Sequence, residues 1–151
     1  MKNTNDQMLG TSAAFFDLTD QISRAAPLDR PMLVIGERGT GKELIAARLH
    51  YLSNRWDRNF QKMNCAALPD ALLESELFGY EPGAFTGANK KRKGRFELAH
   101  KGSLFLDEIG TMTMTAQEKL LRVIEYGEFE RVGGNETINV NVRIIGATNI
   151  D

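Results

Sequence analysis

Met32-Leu33-Val34-Ile35-Gly36-Glu37-Arg38-Gly39-Thr40-Gly41-Lys42-Glu43-Leu44-Ile45-Ala46 is the stretch on which the fold turns. Its first four residues form an apolar run that stops at a glycine, which reads as a short buried strand. From Lys42 the spacing changes: Ile45, Leu49 and Leu52 recur on one face and predict a helix over 42–53. Between strand and helix stand a glycine, four residues and then Gly41-Lys42, the pattern of a phosphate-binding loop. Glycines let successive backbone N–H groups turn toward one anion, and the helix start adds its positive end at the same point. Gly36, Glu37, Arg38, Gly39, Thr40, Gly41, Lys42 and Glu43 are thus the candidate nucleotide-binding residues, with Lys42 the mobile charge for the β- and γ-phosphates. One position departs from the usual pattern. Glu43 stands where Ser or Thr would hold Mg²⁺, so the metal falls to other groups and to water.

A second run supports the first. Ser103-Leu104-Phe105-Leu106-Asp107-Glu108 is an apolar strand ending in two carboxylates. In open α/β sheets ligands gather at the carboxyl ends of the strands, so the acids belong on the nucleotide side. Side chains alternate along a strand, and the two acids can do different work. Asp107 would hold Mg²⁺, directly or through water, and Glu108 would orient or deprotonate an attacking water. Residues 60–63 and 142–147 read as further strands, ending in Asn64 and in Thr148-Asn149. For the two asparagines a plain strand-capping role stands beside a catalytic one. Helical patterns precede or separate these runs: Phe15, Leu18, Ile22 and Ala25 after a possible N-cap at Ser12, then 69–78, one or two turns at 95–99, and 116–126 closed by Gly127. Strands alternating with helices predict an α/β fold with a parallel sheet covered on both faces.

The chain has 151 residues, 42% apolar and 26% charged, with a net charge of −1. That length fits one domain with a real core, and the small net charge gives no global attraction to nucleic acid or anionic lipid. The single cysteine, Cys65, excludes an internal disulfide and reads as a small buried hydrophobe. His50 and His100 stand outside any metal-ligand spacing, and Trp56 reads as a packing residue. No apolar run reaches the length of a membrane span or a signal core, so the cytoplasm is the expected location. Three segments interrupt the plain alternation: 79–94, 111–115, and a hairpin with arms at 129–132 and 137–140 around Gly133-Gly134-Asn135. The basic cluster Lys90, Lys91, Arg92, Lys93 and Arg95 reads as the solvated flank of a mobile loop, with promoter DNA the alternative.

Residues 36–43, the loop Gly83-Ala84-Phe85-Thr86-Gly87-Ala88, and residues 102–108 together resemble the AAA+ domain of bacterial enhancer-binding, sigma-54-dependent transcription activators. The six-residue loop is the most specific part, and the resemblance runs from about Leu9 to Asp151. It implies a three-layer α/β/α P-loop NTPase fold, and ATP and Mg²⁺ as substrate and metal. It makes Glu108 the catalytic glutamate, with Asp107 and Lys42 beside it, and Asn64 the residue that hydrogen-bonds Glu108 and couples it to nucleotide state. Thr148 and Asn149 become the first sensor, and Leu9 and Gly10 lie where the adenine is held. Glu43 is usual at its position in that family. Gly83, Ala84, Phe85, Thr86, Gly87 and Ala88 become the contact to sigma-54, with the hairpin over 130–139 in support and Arg131 linking to a neighbouring subunit. The implied partners are the sigma-54 RNA polymerase holoenzyme, further copies of the chain in a ring, and enhancer DNA through a C-terminal region beyond Asp151.

In this reading residues 1–151 are the N-terminal part of a sigma-54 interaction ATPase, with no sensor domain ahead of it. The resemblance places a fifth strand after Asp151, in sheet order 5-1-4-3-2, followed by arginine fingers, a second sensor, a lid and a helix-turn-helix. A chain of this length alone is therefore expected to bind nucleotide weakly and to hydrolyse it poorly, with the strand at 32–35 left as an open edge. Two other functions remain in view: a nucleotide-switched module that grips sigma-54 without turnover, and a different AAA+ machine such as a helicase loader.

Overall fold

Leu104 and Leu106 point to one side of their strand and Phe105 to the other, and all three are buried. This alternation organises the molecule, because each side must find its own apolar cover. The structure, a computed structural model, describes residues 13–37 and 41–149, with side chains from residue 18 onward. In chain order the elements are α1 (Ala13–Ala25), β1 (Met32–Ile35), α2 (Lys42–Tyr51), β2 (Phe60–Asn64), α3 (Asp70–Phe78), α4 (Arg95–Leu98) and β3 (Ser103–Asp107). A 3-10 turn (Ile109–Thr111) follows, then α5 (Met114–Tyr126), β4 (Glu128–Phe129), β5 (Ile138–Asn139) and β6 (Arg143–Thr148). Four strands pair in parallel in the order β1-β6-β3-β2, and β4 and β5 form a separate antiparallel ribbon.

One face of the sheet, with Phe105, Ile145 and Ala147, packs on Ile22 and Ala26 at the end of α1 and on Ala46 and Leu49 of α2. The other, with Leu104, Leu106, Ile144 and Met63, packs on α3, α4 and α5 and on Phe129 of the ribbon. Phe78, Phe96 and Phe129 meet there at ring-centroid distances of 5.5–5.9 Å. The result is the three-layer α/β/α arrangement, and the central strands β3 and β6 are the ones with apolar side chains on both faces. Among the described residues β1 has β6 as its neighbour and lies at the sheet edge, with Leu33 and Ile35 52% and 60% exposed. That is the open edge expected for residues 32–35. No helix among the described residues is long and apolar enough to cross a membrane.

Several expectations are corrected by tertiary contacts. Helix α2 ends at Tyr51, so Leu52 is a C-cap and lies exposed instead of continuing the apolar face. Trp56 is 61% exposed and does not pack. Its neighbour Arg55 takes the inward position, bonding Asp29, the carbonyls of Gly102 and Asn141, and the Asn141 side chain, which leaves the indole facing out. The hairpin forms, but its arms are two residues each, because Val132 leaves the ribbon to pair with the chain around Tyr80. Ser12 lies outside the described residues.

Two buried polar groups tie the layers together below the sheet. Arg143, at the start of β6, donates from Nη1 to Ala26 O (2.7 Å) and Leu49 O (3.3 Å), from Nη2 to Ala25 O (2.9 Å), and from Nε to Arg30 O (3.2 Å). These carbonyls include the frayed C-terminal ends of α1 and α2, so a cation meets the negative poles of two helices. His50 is fully buried, stacked on Phe60. Its Nε2–H donates to Arg58 O (3.1 Å), which leaves Nδ1 to accept from the Ser103 hydroxyl (2.8 Å). Burial lowers the His50 pKa below its ordinary 6.5, Arg143 and Arg55 add to that, and the Arg58 carbonyl opposes it.

Arg143→Leu, which strands those carbonyls, is expected to cost about 2–4 kcal/mol of stability in urea unfolding. For His50 the unfolded chain takes up the proton first as pH falls below 6.5, so its stabilising contribution is present above that value and declines below it. Urea midpoints measured from about pH 7 down to about pH 5 should fall with a slope of up to about 1.4 kcal/mol per pH unit from this group. His50→Gln should flatten that slope, and an identical slope in the variant would refute the assignment.

Candidate functional site

Because the four strands run in parallel, their carboxyl ends form one rim, and each carries a polar residue just where pairing stops. Gly36 extends the β1–β6 ladder by one bond to Thr148 O (3.3 Å). Gly41 takes a left-handed conformation (φ 81°) and caps α2, whose first amides have no partner within the helix. Lys42, on the first turn, is only 7% exposed. Its ammonium donates to Gly36 O (2.9 Å), Glu37 O (3.0 Å) and Asn149 Oδ1 (2.9 Å), which uses its full complement of protons. Arg38, Gly39 and Thr40, together with Leu9 and Gly10, lie outside the described residues.

Asn149 follows β6, the strand between β1 and β3, and so can reach both. While its Oδ1 accepts from Lys42, its Nδ2 donates to Glu108 Oε1 at 3.3 Å. The orientation of the amide is dictated by chemistry, since an ammonium can only donate and a carboxylate only accept. Lys42, Asn149 and Glu108 thus form one hydrogen-bonded chain across three strand ends. Glu108 leaves β3 with φ 54° and ψ 49°, an unusual left-handed backbone for a glutamate. The turn is held by Glu108 N donating to Asp107 Oδ1 (2.9 Å) and by Glu108 O accepting from the Thr111 amide and hydroxyl. The left-handed turn sends the glutamate toward β6, whereas strand alternation alone would have left its direction open.

Asn64 is paired in register with Asp107, yet its side chain is used locally: Oδ1 accepts from Ala66 N (2.9 Å) and stops β2 as a strand cap. The amide that touches Glu108 in this structure belongs to Asn149, where the resemblance had given the contact to Asn64. Glu43 is exposed and pairs with Lys62 Nζ (2.8 Å). Cys65, next to Asn64, is buried, and burial together with Asp107 and Glu108 pushes its thiol pKa up to about 12, so it is a packed hydrophobe and not a nucleophile.

Two insertions start from this rim. The segment after Asn64 runs through α3 to the loop 83–88, and the segment after Glu108 runs through α5 to the ribbon. They meet again at Arg131. This guanidinium is buried and makes a bidentate pair with Glu97 of α4 (2.7 and 3.0 Å) and a bond to Glu81 (2.7 Å) at the start of the loop. The resemblance gave Arg131 a neighbouring subunit; within the chain it is neutralised by these two carboxylates. Glu81 and Glu97 escaped the sequence reading, and their signal was two acids bracketing a basic segment. Within that segment Arg92 and Arg95 lean toward Glu76 (3.9 and 3.8 Å), while Lys90, Lys91 and Lys93 are exposed. The loop has Gly83 and Gly87 at φ 84° and 93°, Thr86 exposed, Ala88 buried, and Phe85 44% exposed against the ring of Tyr80. A cavity of about 330 Å³ opens at the other end of the strands, but its Arg55 and Arg143 are committed to Asp29, Asn141 and helix-end carbonyls.

Known proteins share both the sequence and the fold. The Psp operon transcriptional activator of Escherichia coli K12 is 61% identical over 151 residues, which is all of this chain and 46% of that protein. The Nif-specific regulatory protein of Azotobacter vinelandii is 59% identical over 146 residues, 97% of this chain and 28% of its own length. The chain therefore spans less than half the length of these relatives. The crystal structure of NtrX from Brucella abortus in complex with ADP superposes with a TM-score of 0.86 at 38% identity, covering 95% of this chain and 31% of that one. NtrX in complex with ATP gives 0.85 at 39% identity, covering 94% and 30%. The profile of the sigma-54 interaction domain matches residues 8–151, and the chain belongs to that family.

Proposed function

We propose that this chain is the nucleotide-hydrolysing part of a transcription activator, an AAA+ ATPase unit that remodels sigma-54 RNA polymerase through the loop 83–88. The observation that carries the reading is the chain Lys42–Asn149–Glu108. It joins the residue suited to hold a terminal phosphate to the residue suited to activate water. NtrX, with a like fold, has been crystallised with ADP and with ATP, which supports the same ligands here.

In this mechanism Lys42 gives its ammonium to the β- and γ-phosphates and releases Asn149 Oδ1. Asn149, no longer held by Lys42, reads the γ-phosphate with its amide, beside Thr148. Glu108 orients the attacking water and accepts its proton as the water oxygen bonds to γ-phosphorus and the bond to the bridging oxygen breaks. Asp107 would hold Mg²⁺, which when bound neutralises charge on the phosphates. The donor chemistry suits that ion: the carboxylate of Asp107, a hard oxygen ligand, ends β3 at the rim. Mg²⁺ keeps several waters and shares phosphate oxygens, so it needs no all-protein cage. Asn64, a strand cap in this structure, uses Oδ1 for Ala66 N and keeps its Nδ2 to offer the Glu108 carboxylate when the two approach.

The output runs along the two insertions. Movement of Glu108 and Asn64 shifts the segments that follow each, and Arg131 couples those segments through Glu81 and Glu97. The loop then presents Phe85 and Thr86 to sigma-54. In the whole protein this unit would assemble into a ring in the cytoplasm, with enhancer DNA bound by another region.

Glu108→Gln keeps the hydrogen-bonding shape and removes the base. Steady-state ATP turnover should fall about 10²–10⁴-fold while nucleotide binding by calorimetry persists. If sigma-54 remodelling survives that change, the protein is a nucleotide switch without turnover. Thr86→Ala should leave ATP turnover in place and abolish engagement of sigma-54 in a pull-down with the purified factor. Survival of both activities would remove the loop from the mechanism and favour another AAA+ machine.

A further inference from the structure

Tyr80 is the fixed point at the neck of the loop. Its N–H donates to Arg92 O (3.0 Å) and its carbonyl accepts from Arg92 N (3.0 Å), which closes the loop 81–91 like the end of a ribbon. On its other side the flanking Gly79 O and Glu81 N bond Val132 (2.9 and 3.0 Å). Tyr80 is therefore the middle of three short extended segments, and its backbone cannot follow the tip. The tip itself is lightly held. It has its own turn bonds, Ala84 N to Glu81 O (3.1 Å), Gly83 N to Ala88 O (2.7 Å) and Ala88 N to Phe85 O (3.0 Å). A side chain added at Gly83 or Gly87 would meet nothing within 4 Å. The tip meets the body where the Phe85 ring stands edge-on to Tyr80, centroids 4.9 Å apart at 63°, where Gly133 of the hairpin lies so close to Ala84 that a Cβ there would come within 2.8 Å, and at its base, where Ala88 is buried.

We propose that Tyr80 is a ledge on which Phe85 parks, a positioning residue that any partner of the loop must displace. The proposal rests on the reading of the loop as the sigma-54 contact and deepens it. Phe85 is the one large apolar side chain of the tip, and while it stands against Tyr80 only 44% of it is exposed, so a partner that buries the whole ring must lift it off. With a rigid neck and an open tip, the aromatic pair biases the loop toward the body. Pairs of this geometry shift such an equilibrium by about two- to twelve-fold. Gly133 provides the space in which Ala84 rests while the ring is parked, so the hairpin contributes to the same position. The hydroxyl of Tyr80 is not required by this role, and a phenylalanine ring would serve.

The test uses the full chain with 4-fluorophenylalanine placed at position 85 alone, nucleotide-free. The fluorine's solvent isotope shift reports whether that ring is covered. Tyr80→Ala should move the shift toward the free amino acid, and Tyr80→Phe should leave it at the parent value. Tyr80→Leu serves as the second non-aromatic variant should the alanine form fail to fold. Binding of purified, labelled sigma-54 by fluorescence anisotropy should tighten about two- to twelve-fold in Tyr80→Ala without nucleotide, and stay at the parent value in Tyr80→Phe. An unmoved fluorine in both Tyr80→Ala and Tyr80→Leu overturns the ledge, as does an equal shift in Tyr80→Phe. A fluorine that moves with no sigma-54 binding by any variant overturns the partner assignment instead and leaves the parking contact standing.

Discussion

An ammonium ion buried at the end of a parallel sheet has to be matched by acceptors, and Lys42 is matched by two carbonyls of its own loop and by Asn149. The rest of the rim follows from that requirement. The carbonyls of Gly36 and Glu37, just past the end of β1, both face that ammonium. Asn149 is available because β6 lies between β1 and β3. Having accepted from Lys42, its amide has donors left over, and the nearest carboxylate in position is Glu108. One buried charge thereby organises the ends of three strands.

The same constraint gives the proposed chemistry its direction. A phosphate is a stronger acceptor for an ammonium than a side-chain amide, so a nucleotide competes directly with Asn149. Losing that bond changes what Asn149 can offer Glu108, whose left-handed backbone already departs from the ordinary strand conformation. In the proposed mechanism the switching element is small, a single amide between a cation and an acid, and it touches Glu108, the residue after which the second insertion begins.

Between rim and loop the coupling is made of buried contacts. Arg131 is held by carboxylates from the loop base and from α4, and Phe78, Phe96 and Phe129 pack behind it. Removing Arg131 from this group would leave Glu97, whose side chain is 10% exposed, without its charge partner. Beyond it the tip carries open glycines and one aromatic contact. A stiff base with a lightly held end suits a loop that must change its exposure without unfolding.

Much of this was legible before any coordinates. The apolar runs at 32–35 and 103–106, the glycine pattern, Lys42 and the acid pair depend on local rules: period, turn chemistry and the need of a strand end for polar groups. So does the helix ending at Gly127, which is left-handed as a C-terminal glycine should be. What local rules did not reveal was each pairing set by a distant partner. Trp56 faces water because Arg55 found Asp29 and Asn141, far away in sequence. The hairpin arms are short because Val132 prefers the neck at Tyr80. Arg131 pairs within its own chain because Glu81 and Glu97 are brought beside it, and Glu108, on a strand flanked by both β6 and β2, meets Asn149 because its left-handed turn sends it to the β6 side while Asn64 caps its own strand on the other. Local propensity chose the elements and their polar ends, while the partner of each buried charge was chosen by which strands and insertions lie side by side.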